Sequence, residues 1–235
     1  MEPDEGAEGV EIFKPCLDML PESQQQVWRQ LDPTPRHFVL YGGTALALRL
    51  GHRESVDFDF FSCASFQPFD LIRSIDYLKD QTVTQQAENM LSCEIETRSG
   101  IVKISFFGGL PLKQINPPDR VETNGIAIAS LIDLFGMKCA TIPQRNEAKD
   151  YQDIHALVTR AKLDLSVGIA AARAIYGRQY NPILTLQALV YFADLPDPLP
   201  ESMQSDLIAA VKSVSLQDIP PVTATGKLGE GFGQA

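Results

Sequence analysis

The chain has 235 residues, 44% apolar and 21% charged, and its 20 Lys+Arg against 30 Asp+Glu leave a formal net charge of −10. A chain of this length buries roughly 70% of its extended-chain surface, which suits one domain with an appendage or two small domains. The composition excludes disordered, collagen-like and coiled-coil chains, and the acidic total excludes a broad nonspecific coat for nucleic acid while leaving room for a local basic cleft.

The charge is unevenly placed. Residues 1–11 carry five acids and no base, residues 194–235 carry six acids and two bases, and 12–193 hold 19 acids against 18 bases. The compact middle is therefore close to neutral. Cys16, Cys63, Cys93 and Cys139 stand alone, with no zinc spacing to His37, His52 or His155; they read as buried small hydrophobes in a reducing compartment. The N-terminus lacks the basic and apolar regions of a signal peptide, and no 18-residue apolar stretch is present. The expectation is a cytoplasmic protein without a membrane partner.

In chain order, residues 1–11 read as a flexible acidic segment. Residues 12–31 suggest two short helices broken near Pro21, and Pro33 and Pro35 mark a turn. Phe38–Leu40 form a short strand or a last turn before Gly42-Gly43; residues 44–50 form a helix stopped at Gly51. The SVDFDFFS run at 55–62 alternates with period two, Asp57 and Asp59 on one face and Phe58 and Phe60 on the other. Pro68 opens a helix over 69–79. Strands follow at about 82–87, 91–97 and 101–107, with a tight turn at Ser99-Gly100. Residues 112–120 form a Pro-rich loop. Helices then fall at 129–141, which carries Lys138, at 147–161, and near 164–175, 183–192 and 201–213, before a tail.

This predicts an α+β (mixed α/β) chain: an α/β domain over 12–110, a connecting loop over 111–128, a helical domain over 129–215 and a flexible tail over 216–235.

The chemistry concentrates in residues 41–61. Gly42-Gly43 lets the backbone turn sharply and approach a ligand closely. Thr44 is a candidate cap for the following helix, whose first N–H groups attract phosphate. Two carboxylates side by side on one strand repel each other, and a divalent cation relieves that repulsion. Mg²⁺ prefers carboxylates plus phosphate oxygens. Arg53 can grip phosphate bidentately. Each piece also has a structural reading, but the apolar back of the strand anchors its aspartates so that both aim the same way.

GGTALALRLGHRESVDFDFF resembles the first motif of the AbiEii/AbiGii toxin nucleotidyltransferases of bacterial toxin–antitoxin and phage-defence systems, within the DNA polymerase β-like superfamily. The matching positions are Gly42, Gly43, Thr44, Gly51, Arg53, Ser55, Asp57 and Asp59. A second motif, MKCATIPQRNEAKDYQDIHAL, supplies Lys138, Arg145, Lys149, Asp150 and Asp153. The resemblance spans residues 38–160. It implies a nucleotidyltransferase-like small mixed sheet with flanking helices and a C-terminal helical region. It also implies that Gly42, Gly43 and Thr44, with Arg53 and Ser55, hold the triphosphate of a nucleoside triphosphate. Asp57 and Asp59 would hold Mg²⁺ or Mn²⁺, Lys138 would contact phosphates, and Asp150 and Asp153 would line the cleft. From the residues alone, Lys138 needs an anionic partner or a snorkelling path, and Asp150 equally suits a helix N-terminus.

Members of that superfamily usually place a third carboxylate on a neighbouring strand. Here the matching position is Ser105. Either Glu96 or Asp150 assists the two strand carboxylates, with Glu94 a further candidate and Lys103 a local counter-charge, or activity is weakened. The expected function is transfer of a nucleoside monophosphate to an acceptor such as RNA or tRNA, in a toxin with a cognate antitoxin. The alternatives are a degenerate nucleotide-binding module and a protein phosphotransferase.

Overall fold

A computed structural model of the chain describes residues 13–230; the acidic segment expected at 1–11 lies outside them. A 3-10 turn at Leu17–Met19 leads into α1 (Glu22–Trp28), which Pro21 precedes as expected. Strand β1 (Val39–Tyr41) runs directly into α2 (Gly42–Leu50), and the left-handed Gly51 ends that helix. Then come β2 (Asp57–Phe61), α3 (Pro68–Ser74) and a meander of β3 (Thr82–Ala87), β4 (Met90–Thr97) and β5 (Gly100–Phe107).

The alternation read from the sequence is the alternation observed. Along β2, Phe58 and Phe60 are fully buried while Asp57, Asp59 and Phe61 are half-buried. Behind the strand, Phe60 stacks on Phe106 at 5.2 Å and Phe38 meets the edge of Phe106 at 5.1 Å. These rings make the apolar floor that keeps β2 from slipping, because a one-residue shift would exchange them for the aspartates. The turn between β4 and β5 is Arg98-Ser99, one residue earlier than expected. Gly100 pairs with Thr97 instead of sitting in the loop.

The stretch expected to be a connecting loop carries three two-residue strands: β6 (Lys113–Gln114), β7 (Asp119–Arg120) and β8 (Ala127–Ile128). The main sheet has the order β3-β4-β5-β2-β1-β8-β7, with β1 antiparallel to β2 and parallel to β8, and β2 parallel to β5. Strands this short have no readable period; pairing across the chain creates them. Arg49 of α2 holds the new edge, donating to the carbonyls of Ala129 (2.6 Å) and Ile128 (3.0 Å) and to Asp119 (2.6 Å).

The helical half comprises α4 (Leu131–Thr141), α5 (Ala148–Thr159), α6 (Leu165–Tyr176), α7 (Pro182–Ala188) and α8 (Glu201–Ser213). Helices α4 and α6 cross closely: a Cβ on Gly136 would lie 2.9 Å from the backbone of Ala171. Asp133 ties the start of α4 to the preceding loop by accepting from the Ile115 and Asn116 amides at 2.7 and 3.0 Å. Both features aim Lys138 toward the sheet.

The end of the chain departs from the expected tail. Strand β9 (Gly226–Lys227) pairs antiparallel with β6, Leu228 is fully buried, and its carbonyl accepts from the Cys63 amide at 3.0 Å. Tertiary pairing captures a segment whose composition alone carries no order. Cys93 and Cys139 are fully buried, as expected of small hydrophobes, whereas Cys16 is exposed. Among the described residues, no helix is long and apolar enough to cross a membrane.

Candidate active site

The site is built where β1 becomes α2 with no linker. Gly42 makes the change of direction at φ +74°, a conformation that L side chains rarely adopt, and a Cβ there would lie 3.1 Å from the Asp59 carboxylate. Tyr41 occupies the cap position in extended geometry and no side chain caps the helix. The first amides of α2 are therefore donors without an intrahelical acceptor, at the positive end of the helix dipole.

Thr44 does not cap this helix, which begins two residues earlier than expected. Its hydroxyl is buried, donates to the Asp57 carbonyl and hydrogen-bonds the Ser55 hydroxyl at 2.9 Å. Thr44 thus clamps α2 to the start of β2 and fixes how the two aspartates emerge.

Asp57 and Asp59 emerge from β2 on the face opposite the aromatic floor. The parallel register with β5 sets Lys103 beside Asp57 and Ser105 beside Asp59. Together with Gly42, Gly43 and Ser55, the two aspartates form one wall of a cavity of about 300 Å³. Five cations complete the lining: Lys103 on the same sheet face as the aspartates, and Arg53, Lys138, Arg145 and Lys149. Burial first, then the neighbouring Asp57, pushes the Asp59 carboxyl above the ordinary carboxylate value; Lys103, Arg145 and Lys138 offset part of this. Among the described residues, neither strand aspartate makes an ion pair within 4.0 Å, in contrast to the second acid pair.

The second acid pair is arranged in the opposite sense. Asp150 and Asp153 are buried completely, each engaged by cations. Lys138 Nζ lies 2.6 Å from Asp150 Oδ1 and 2.6 Å from Asp153 Oδ2. Arg145 adds two hydrogen bonds to Asp150, at 2.7 and 3.0 Å. Arg53 forks onto Asp153, Nε to Oδ1 at 2.7 Å and Nη2 to Oδ2 at 2.9 Å, and His52 Nε2 sits 2.7 Å from the same Oδ1.

Burial alone would raise both acids. For Asp150 the Arg145 hydrogen bond and the Lys138 charge outweigh it and hold the carboxyl below its ordinary value. For Asp153 the His52 hydrogen bond, Lys138 and Arg53 hold it far below.

The structure thus corrects the expectation that Asp150 and Asp153 line the cleft. They stand behind the cavity wall and aim the cations that form it. Gly43 belongs to the same device: a Cβ there would meet Arg53 Nη2 at 2.5 Å, so only glycine lets the guanidinium pack onto α2 while it reaches α5.

Glu96 is not brought to the site. It is exposed and pairs with Ile101, two residues before the Lys103 that meets the start of β2. Glu94 pairs with Lys103, on the side of that lysine away from Asp57. Ser105 holds the position expected for a third acid, buried and accepting a 3.0 Å hydrogen bond from Ser92.

Lys103 is the cavity residue that sequence reasoning placed poorly, treating it as a counter-charge for the glutamates. Its signal was present: Lys103 and Ser105 share the β5 face that meets the aspartates.

Among the described residues, no group of three or more His, Cys, Asp or Glu is set to hold a metal ion. The two strand carboxylates fit a divalent cation in another way. They are hard oxygen donors facing one cavity, with a mutual repulsion that such a cation relieves, and the remaining positions would be left to phosphate and water oxygens. An adjoining space of about 150 Å³ shares Gly42, Asp59, Lys138 and Arg145 with the cavity and adds an apolar wall of Phe61, Leu134 and Met137.

Comparison with known proteins gives the following. The profile of the nucleotidyl transferase AbiEii toxin family, of type IV toxin–antitoxin systems, matches residues 27–221. An uncharacterized protein of Aquifex aeolicus is 33% identical over 170 residues, covering 71% of this chain and 79% of that one. Two solved structures share the fold. The crystal structure of a candidate nucleotidyltransferase from H. pylori superposes with a TM-score of 0.51 at 17% identity, covering 80% of this chain and 90% of that one. The nucleotidyltransferase toxin MenT4 of Mycobacterium tuberculosis superposes with a TM-score of 0.56 at 16% identity, covering 83% of each chain.

Proposed function

The chain belongs to the AbiEii nucleotidyl transferase toxin family, and from that premise we propose that its cavity transfers a nucleoside monophosphate from a Mg²⁺-bound nucleoside triphosphate to an acceptor hydroxyl, as on RNA or tRNA. One observation carries the reading: a carboxylate pair and five cations line one cavity of about 300 Å³, at the uncapped start of a helix. That combination suits a ligand that is strongly anionic and brings a divalent cation with it.

In this reading the α2 amides and Arg53 receive phosphate oxygens, because both are donors held in place before the ligand arrives. Asp57 and Asp59 hold Mg²⁺ or Mn²⁺, which when bound polarises the phosphoryl oxygens of the reacting phosphate. Lys138 and Arg145 point into the cavity while anchored behind it. Their charge meets the phosphoryl oxygens without the cost of ordering flexible side chains at the moment of reaction. Phe61, Leu134 and Met137 offer the apolar surface on which the nucleoside rests.

The test uses nucleoside triphosphates labelled at the α- or the γ-phosphate, with Mg²⁺ and total bacterial RNA. Label from the α-position in RNA, lost in Asp57→Asn and Asp59→Asn, is the expected result. Label only from the γ-position, appearing in protein, would establish a phosphotransferase instead. The buried, hydrogen-bonded Ser105 favours one second reading, a nucleotide-binding module without turnover. Saturable Mg²⁺–nucleotide binding with no labelled product would support it.

A further inference from the structure

We propose that the site takes one divalent cation, at Asp57 and Asp59, and that the Lys103 ammonium stands where a three-carboxylate site would bind a second. This rests on the nucleotidyltransferase reading above and concerns how its charge is supplied.

The strand next to the aspartates offers the cavity a lysine and a serine. Lys103 lies beside Asp57 in the parallel register, lines the cavity and makes no ion pair within 4.0 Å among the described residues. Ser105, beside Asp59, is neutral, and its hydroxyl already accepts from Ser92.

The acids that could substitute are spent or misplaced. Asp150 and Asp153 are saturated by Lys138, Arg145, Arg53 and His52. Glu94 is separated from Asp57 by Lys103 itself.

The charge balance points the same way. A single dication offsets two carboxylates. Of the five cations that line the cavity, four are already paired with Asp150, Asp153 or Glu147, and Lys103 alone has no carboxylate within 4.0 Å among the described residues, so its charge is left to face the strand aspartates. Lys103 is exposed, so its ammonium stays solvated until an anionic ligand covers it.

The test counts Mn²⁺ bound to the full chain with a saturating non-hydrolysable nucleoside triphosphate analogue, by equilibrium dialysis and by the electron paramagnetic resonance spectrum. The expected result is one Mn²⁺ per chain without Mn–Mn coupling in the wild type, and two coupled ions in Lys103→Glu. Two ions in the wild type, or one in a folded Lys103→Glu, would overturn the inference and leave nucleotidyl transfer standing. No bound Mn²⁺ in the wild type would overturn the nucleotidyltransferase reading and this inference with it. Thermal melts of both proteins establish that each is folded, which an exposed strand position favours.

Discussion

Two pairs of aspartates, one in the cavity wall and one behind it, show opposite chemistry. Asp57 and Asp59 project from a strand at i and i+2 into a cavity, and burial plus mutual repulsion raises Asp59. Asp150 and Asp153 project from a helix at i and i+3 into side-chain cations, and both are lowered. The first pair is left wanting a cation; the second has consumed several. An acid facing a ligand site must keep lone pairs free, whereas an acid that aims a lysine and two arginines must not. The same residue type therefore builds the cavity wall and the frame behind it.

The comparison breaks most sharply on activity. Replacing Asp57 and Asp59 together by Asn is expected to cut nucleotidyl transfer by about a thousandfold or more, because the cation and its charge stabilisation are lost. The fold should survive, since the change removes repulsion. A labelled-transfer assay beside a thermal melt checks both parts, and Mg²⁺ should raise the melting temperature of the wild type but not of this variant.

The converse change falls on stability. Asp153→Ala leaves Arg53, Lys138 and His52 without their counter-charge and should cost about 3–5 kcal/mol in a denaturant titration. Activity of the remaining folded protein should fall as well, because Arg53 loses its anchor. If Asp153→Ala were as stable as the wild type, the supporting role would be wrong.

Gly43→Ala tests the frame from the other side. Its Cβ would meet Arg53 Nη2 at 2.5 Å and Ser55 Oγ at 3.1 Å. The expected cost is about 1–3 kcal/mol, with a rise in KM for the nucleotide as Arg53 is displaced.

Acid separates the two pairs without mutation. Asp150 and Asp153 have folded values below the unfolded one, so their stabilisation is fully present above the unfolded value, about pH 4, and is lost as pH falls through the folded values. Asp59 is raised, so its ionisation costs stability as pH rises through its folded value. An Asp59→Asn variant should therefore gain stability at neutral pH relative to wild type and lose that advantage in acid. Denaturant midpoints across pH would show the two curves converging.

The smallest effect is expected at Lys149. Its side chain is half exposed and, among the described residues, pairs at 2.9 Å with Glu147 alone. Lys149→Ala should change stability by less than about 0.5 kcal/mol and raise KM a few-fold, mainly at low salt.

The legibility of the site followed the length of each pattern. The DFDFF alternation was readable because a period-two run leaves little ambiguity about which face is buried, whereas the three meander strands were readable from their length and the turn between them, since β3 is exposed throughout and β4 and β5 do not alternate. The GG–helix junction and its Gly51 stop were readable from local backbone chemistry. β6 to β9 were not, because two residues carry no period and are strands only by virtue of their partners. Thr44 was misread for a related reason: its neighbours suggest a cap, but the chain turns into the helix at Gly42, and the hydroxyl is claimed by β2.

What the amino-acid order determined by itself was an α/β half with a carboxylate pair on an anchored strand, a glycine turn before a helix, and a later helix rich in acids and bases. Local sterics and side-chain periodicity are sufficient for these. Only the tertiary structure decided which acids meet the cavity and which stand behind it, that Lys103 lies beside Asp57, and that the chain's end returns to the sheet side. Each of these depends on contacts between residues far apart in the chain, where register and burial, not neighbouring sequence, set the charge that each group sees.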